Sequence, residues 1–315
     1  MPLWQPQLPP HDVVTQKAMK GPQAHSALRE AVLQALVSSG ASGVDTQVDI
    51  VDEIGSTNTA LLDQARATGD ARPRLLMAWR QTQGRGRSGR PWASQPQASL
   101  TWSWAQRLQA NDWSGLSLAV GVSLAQALDP CKEVAGVRPA PRLGLKWPND
   151  LWLLDPQAPM GGRKVGGVLI ETLSVGGQRV CVVGVGLNVG PLQGVDAHAL
   201  SSGLGHLQEL IPGMQVSEVL LRVAPAVAQG LQRFEQHGFE GFRAEFERRD
   251  LLMGRTVVTS GSTPSAASAA PTPLTGLACG VGPDGALQLR GADGHLHAVV
   301  SGEVSVRPSP PDPAR

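Results

Sequence analysis

The chain has 315 residues, enough for two domains with a sizeable core, and its share of apolar residues and glycine is that of an ordinary globular protein. Formal net charge is only +1, which excludes a globally basic nucleic-acid binder. No run approaches the ~20 apolar residues of a spanning helix, and "MPLWQPQLPPHD" lacks a basic region followed by an apolar one. We therefore expect no signal peptide, no membrane contact and a cytoplasmic location.

Residues 1 to 22 hold five prolines and little periodicity, so we read them as disordered, followed by one helix at about His25 to Ser38. "DTQVDIVDEIGSTNTALLDQARATGD" predicts a strand, a turn and a helix starting near Ser56, with Leu61, Leu62 and Ala65 on one face and Gly69 as its stop. "RLLMAWRQ" and "ASLTWSW" read as strands on either side of a basic loop. "SGLSLAVGVSLAQAL" is an apolar helix that must be buried, and "RLGLKW" is a strand. "KVGGVLIETL" and "QRVCVVGVGLNVG" are two further strands joined through Gly176-Gly177, a hairpin pair. An antiparallel sheet with helices on one face follows. Two helices, the first of which Pro225 should kink, close this unit near Asp250.

From Gly254 onward short strands return in "RTVVTS", "LTGLACGV", "ALQLR", "HLHAVV" and "EVSVR", the pattern of a small β-barrel. "GSTPSAASAAPTP" is low-complexity and expected to be a disordered insertion, and the proline-rich tail after Arg307 should be loose. The expected organisation is an N-terminal extension over 1–45, a catalytic unit over 46–250, a C-terminal barrel over 251–307 with its insertion near 260–273, and a tail over 308–315.

The basic loop is "QTQGRGRSGRPW", residues 81–92, in which Arg85, Arg87 and Arg90 alternate with Gly84, Gly86 and Gly89. From Ala71 to Asn111 the chain has seven arginines and no acidic residue. "GRGRSG" fits the dinucleotide fingerprint letter for letter, but no helix follows it, and a Walker A loop fails at Arg90-Pro91. A nucleic-acid loop could use Trp79, Trp92, Trp102 and Trp104 for stacking, although tryptophans at alternating strand positions are more often core. The leading reading is a mobile lid over a phosphorylated small molecule, because guanidinium forks pair bidentately with phosphate oxygens.

Other polar clusters each have a plain alternative. In "KWPND", Lys146, Asn149 and Asp150 could hold phosphate and Mg²⁺ or form an Asx turn. Lys164 opens an apolar strand beside Gly166-Gly167, where a ligand or backbone comes close, or it is merely solvated. "STN" (Ser56 to Asn58) could be only a helix cap. Asn188 in "GVGLNV" could read an adenine edge or be a satisfied strand-end amide. Cys131, Cys181 and Cys279 are odd in number and far apart, and the histidines lack ligand spacing, so neither a disulfide framework nor a bound transition metal is expected.

"STN", "QTQGRGRSGRPW", "KWPNDLW", "KVGGVLIE" and "GVGLNV", in this order, closely resemble the biotin-protein ligase family. The resemblance extends from about Val51 to Arg307. It implies an α+β fold, a mixed but mainly antiparallel sheet with helices like that of class II synthetases, plus a small SH3-like barrel. It also implies an ATP-dependent reaction in which biotin and MgATP give biotinyl-5′-adenylate, and a lysine of a biotin carboxyl carrier protein then accepts biotin. No protein nucleophile is needed, in keeping with the lack of a Ser-His or Cys-His signature.

By matching positions, the resemblance implies that Ser56, Thr57 and Gln81 contact biotin's ureido head, and that Arg85 and Arg87 contact the carboxylate and phosphate region. Arg90 and Lys146 join the ATP site, and Trp92 helps cover the intermediate. Lys164 bridges carboxylate and α-phosphate, Gly184 and Gly186 let the ligand lie along the strand, and Asn188 faces adenine. Asn149 and Asp150 support the phosphate end, with Asp150 as the Mg²⁺ ligand. Lys164, Arg87 and Arg85 are the expected catalytic group. Ser88 and Pro91 stand where many relatives carry further polar or basic residues. Residues 1–45 are short for the DNA-binding unit of bifunctional members, so no DNA binding is expected, and the state expected is a monomer or weak homodimer. A lipoate ligase is the nearest rival, and a biotin-responsive DNA-binding repressor is the rival from a different class.

Overall fold

The computed structural model describes residues 21–41, 45–110, 112–133, 136–158, 160–194, 203–260, 273–300 and 305–308. The expectations for the first 20 residues, for most of the 260–273 insertion and for the tail beyond 308 lie outside them.

Helix α1 (Pro22–Ser38) starts three residues earlier than the periodicity placed it, because Pro22 at its first turn needs no amide partner. β1 (Gln47–Ile54) leads into α2 (Thr57–Thr68), which Ser56 caps at its start and Gly69 ends in a left-handed conformation. β2 (Arg74–Gln81) and β3 (Ser99–Arg107) flank the basic loop as expected. α3 (Leu116–Leu128) is buried along most of its length. β4 (Leu143–Lys146) and β5 (Asp150–Leu154) form a hairpin around "KWPND", in which Lys146 pairs with Asp150. The sequence reading had no β5 and counted Trp147 as strand. β6 (Gly162–Val175) and β7 (Gln178–Asn188) turn through Gly176 and Gly177 at φ 55° and 77°, a backbone that other residues rarely adopt.

These strands make one sheet in the order β1-β2-β3-β7-β6-β5-β4. The β1–β2 pair is parallel and the rest antiparallel. α4 (Val216–His237) continues through Pro225 as one helix, and α5 (Glu240–Glu247) follows. β8 (Thr256–Ser260), β9 (Thr275–Val281), β10 (Leu287–Arg290), β11 (Leu296–Val299) and β12 (Ser305–Pro308) form a five-stranded antiparallel sheet in the order β11-β10-β9-β8-β12, consistent with the SH3-like unit.

The expectation of helices on one face needs correction. Residues of α1, α3, α4 and α5 share a large core with one face of the sheet, including Met77, Trp102, Trp104 and Val183. Leu61 and Leu62 of α2 pack on the opposite face against Leu76, Ala105 and Val182. The signal was present in "RLLMAW", which is apolar at consecutive positions and buried at each, as a strand covered on both faces must be.

The β4–β5 hairpin is held from several sides. Buried Arg249 binds Asp129 at 3.1 Å, Glu245 at 3.2 Å and the Leu143 carbonyl at 2.9 Å, while its own carbonyl accepts the Leu145 amide at 2.7 Å. Ser117 Oγ donates to the Pro148 carbonyl at 2.9 Å, and Trp147 Nε1 donates to the Gly285 carbonyl at 3.0 Å. The turn that carries Asn149 and Asp150 is thereby fixed to α3, α5 and the C-terminal sheet.

Candidate active site

The face of the sheet under α2 is polar and short of side chains toward its β4 edge. Register aligns Thr101, Gly186, Gly167 and Asp150 across β3, β7, β6 and β5, with Ser103, Gly184 and Leu169 in the adjacent row. A bulge brings Lys164 to this face, because β6 pairs Gly166 with Leu151 but Lys164 with Trp152, leaving Val165 as the extra residue. Strict alternation would have put Lys164 and Gly167 on opposite faces.

At the α2 end, Thr57 donates to Gln81 Oε1 through its amide at 2.7 Å and its hydroxyl at 3.1 Å. Its hydroxyl also meets Ser103 Oγ at 2.6 Å. Ser103 donates to Asn58 Oδ1 at 2.6 Å, and Asn58 Nδ2 donates to Glu171 at 2.9 Å and to the Leu169 carbonyl at 3.3 Å. Ser56 Oγ accepts the Thr59 amide at 3.4 Å, so its capping role holds whatever else it contacts. A Cβ on Gly184 would lie 2.3 Å from Asn58 Oδ1, which explains why this strand position has none.

The basic loop is a narrow hairpin. The Trp92 amide donates to the Gly84 carbonyl at 2.9 Å and the Gly86 amide to the Arg90 carbonyl at 2.7 Å. Its tip holds Ser88 at φ 55°, the left-handed region where a serine is strained. Trp92 lies on the floor, since a Cβ on Gly186 would come within 2.5 Å of its ring. Arg85 reaches Thr59 Oγ1 at 2.9 Å and Glu171 at 3.3 Å, and Arg87 reaches Asn149 Oδ1 at 3.5 Å. Burial lowers the Arg87 pKa, Asp150 opposes that shift and Arg90 adds to it, but an arginine so placed stays charged. Arg90 itself remains exposed. Trp79, Trp102 and Trp104 are core residues, not stacking surfaces.

At the opposite end, Lys164 Nζ lies 2.6 Å from Asp150 Oδ1 and 5.9 Å from the Trp92 ring. Asn149 is locked by Nδ2 donating to the Val168 carbonyl at 2.7 Å and by its own carbonyl accepting the Val168 amide at 2.9 Å. Lys146 is buried, with Nζ 5.8 Å from the Trp152 ring. Asn188 is buried and donates to the Gly205 carbonyl at 3.2 Å, so part of its amide ties β7 to the 203–209 segment. Contacts thus join Thr57 with Gln81, Arg87 with Asn149, and Lys164 with Asp150 and Trp92, which lies on Gly186, whereas Ser56, Lys146 and Asn188 bond or stack on neighbours outside that expected set and Arg90 is exposed. Asn58 and Glu171 were missed as site residues, although both lie within the quoted motifs "STN" and "KVGGVLIE"; nothing in the pattern shows that their side chains meet.

The fold is that of a ligase. The model of the biotin/lipoate A/B protein ligase family matches residues 51–188. The chain is 30% identical over 265 residues to the bifunctional ligase/repressor BirA of Escherichia coli, covering 82% of this chain and 74% of that protein. It is 39% identical over 153 residues to the biotin–[acetyl-CoA-carboxylase] ligase of Mycobacterium tuberculosis, covering 48% of this chain and 52% of that one. The biotin protein ligase of Aquifex aeolicus, solved in complex with biotin and ATP, superposes with a TM-score of 0.65 at 27% identity, over 84% of this chain and 99% of its own. The chain belongs to the biotin/lipoate A/B protein ligase family, among its biotin–protein ligases.

Proposed function

We propose that this protein activates biotin with ATP and transfers it to a lysine of a biotin carboxyl carrier protein. In the first step a biotin carboxylate oxygen bonds to the α-phosphorus, and the bond from that phosphorus to the departing pyrophosphate breaks. In the second, the lysine amine bonds to the acyl carbon, AMP leaves and the nitrogen loses a proton. The observation that carries this reading is the single sheet face on which a hydrogen-bonding pocket, a side-chain-free floor, an arginine hairpin and a lysine follow one another.

Ser56, Thr57 and Gln81 hold the ureido head, as the donors and acceptors of two buried residues and the half-buried Gln81 suit a small polar ring. The acid's chain runs along β7 past Gly184 and Gly186 toward Lys164, a path that requires the Trp92 ring to lift from Gly186. There the carboxylate and α-phosphate add negative charge, which Lys164, Arg85 and Arg87 offset most strongly in the transition state. Trp92 covers the reacting centre and keeps water from the mixed anhydride. Lys146 and Asn188 serve the nucleotide.

Mg²⁺ fits the residues present. Asp150 and Asn149 put a carboxylate and an amide oxygen at adjacent positions, and a Mg²⁺ site made mostly of phosphate oxygens and water asks for no more. When bound, the ion neutralises phosphate charge. We place the catalytic unit at 46–250 and the C-terminal unit at 251–307, the Trp147–Gly285 contact being one tie between them.

ATP–pyrophosphate exchange with biotin and lipoate measured in parallel tests this function. Biotin-dependent exchange, followed by labelling of a carrier-protein lysine, is the expected result. Exchange with lipoate alone, or none with either acid, would overturn it.

A further inference from the structure

We propose that Glu171 is a positioning residue that joins the acid pocket to the arginine lid. This rests on the function proposed above but concerns a residue to which that function gave no part. Glu171 ends the "KVGGVLIE" stretch on β6, opposite Val182, with its side chain 27% exposed.

One carboxylate serves both sides of the site. Its Oε2 accepts Asn58 Nδ2 at 2.9 Å, and its two oxygens lie 3.3 and 3.4 Å from Arg85 NH2. Asn58 is the last member of the chain Gln81–Thr57–Ser103–Asn58 that lines the acid pocket. With Nδ2 given to Glu171 and Leu169, the Asn58 oxygen must face Ser103, so the carboxylate fixes which way this amide points.

Arg85 belongs to the lid hairpin, where its backbone pairs with Pro91, beside Trp92. Holding Arg85 down therefore holds Trp92 against Gly186. Without the Glu171 charge, Arg85 would keep one hydroxyl partner, Thr59, and a neutral acceptor is the weaker of the two. A half-exposed ion pair adds little to global stability, so its effect is local, on how long the lid stays shut. A ligand that changes the Asn58–Glu171 contact acts on the carboxylate that holds Arg85, and by reciprocity lid closure changes that ligand's affinity by the same factor.

Glu171→Gln tests this in the full-length protein. Trypsin cleavage between Arg85 and Arg90 should run several-fold faster in the free variant than in the free wild type, at an unchanged melting temperature. Biotinyl-adenylate formed from biotin and ATP should leave the variant about tenfold faster, equivalent to roughly 1.4 kcal/mol of lid closure. Glu171→Asp should recover part of the protection, and Thr59→Ala should show a smaller loss. Free-protein cleavage and adenylate release in Glu171→Gln both within twofold of wild type would overturn the proposal. A wild type that makes no biotinyl-adenylate would instead overturn the proposed function, and the ligand-free cleavage rates would still decide whether Glu171 holds the lid.

Discussion

Lys164 and Asp150 meet with Nζ and Oδ1 2.6 Å apart, on side chains 28% and 18% exposed. The cation expected on the carboxylate and phosphate and the carboxylate expected on Mg²⁺ are thus each other's partners, and substrate charge must compete with Asp150 for the ammonium. Lys164→Gln should lose adenylate formation by on the order of a hundredfold or more while biotin binding changes far less, because the interaction strengthens toward the transition state. Single-turnover rates of a folded variant within a few-fold of wild type would return Lys164 to the role of a solvated strand-end residue.

The lid hairpin carries Arg87 across to Asn149, and a ligand anion would give this guanidinium a stronger, charged partner that holds the lid down. Trypsin should therefore cut the free protein first between Arg85 and Arg90 and do so more slowly with biotin and ATP present. Arg87→Ala should release biotinyl-adenylate faster than wild type. Equal cleavage with and without ligand, or an unchanged release rate, would remove the lid from the mechanism.

Gly186 has a packing reason to lack a side chain, since Trp92 occupies the place its Cβ would take. Overpacking of this kind costs about 1–3 kcal/mol, and here the cheapest escape is for the lid to rise. Gly186→Ala should show faster adenylate release and a shifted Trp92 fluorescence with a small change in melting temperature. A melting point lowered with release unchanged would put the strain in the sheet instead.

Asp250 supplies a pH test. Burial raises its pKa from 3.8 to about 6, against the pull of the Leu252 and Met253 amides, and its Oδ2 lacks a partner among the described residues. The folded protein holds this proton more tightly than the unfolded chain, so the group's contribution is full below about pH 4 and is lost as pH rises through about 6. Asp250→Asn keeps an acceptor for the Leu252 amide and removes the charge. It should be more stable than wild type at pH 8 by about 3 kcal/mol, with the gain fading toward pH 4 in denaturant titrations. An equal difference at both pH values would refute the assignment.

Much of the site was legible because its residues stand in short runs whose chemistry is local. Ser56 caps α2, Gly176-Gly177 turns the β6–β7 hairpin, and glycines alternate with arginines where a backbone must bend around anions. Each depends on neighbours a few residues away, and of the two strands around the basic loop β3 followed from alternation and β2 from its apolar run. Which face α2 covers was misjudged, since the buried run of β2 reports two covered faces without naming the helix on each.

The sequence by itself determined the elements, their order and the inventory of cations, amides and glycines, because hydrogen bonds within one turn or hairpin and the periods of strand and helix are set by adjacent residues. Only the tertiary structure decided which of these groups meet. The extra residue Val165 turns Lys164 toward Asp150, the register of four strands lines up Thr101, Gly186, Gly167 and Asp150, and α2 brings Asn58 to Glu171, 113 positions away. Such contacts depend on strand register and on packing between distant segments, and a bulge of one residue is enough to move a side chain to the other face of the sheet.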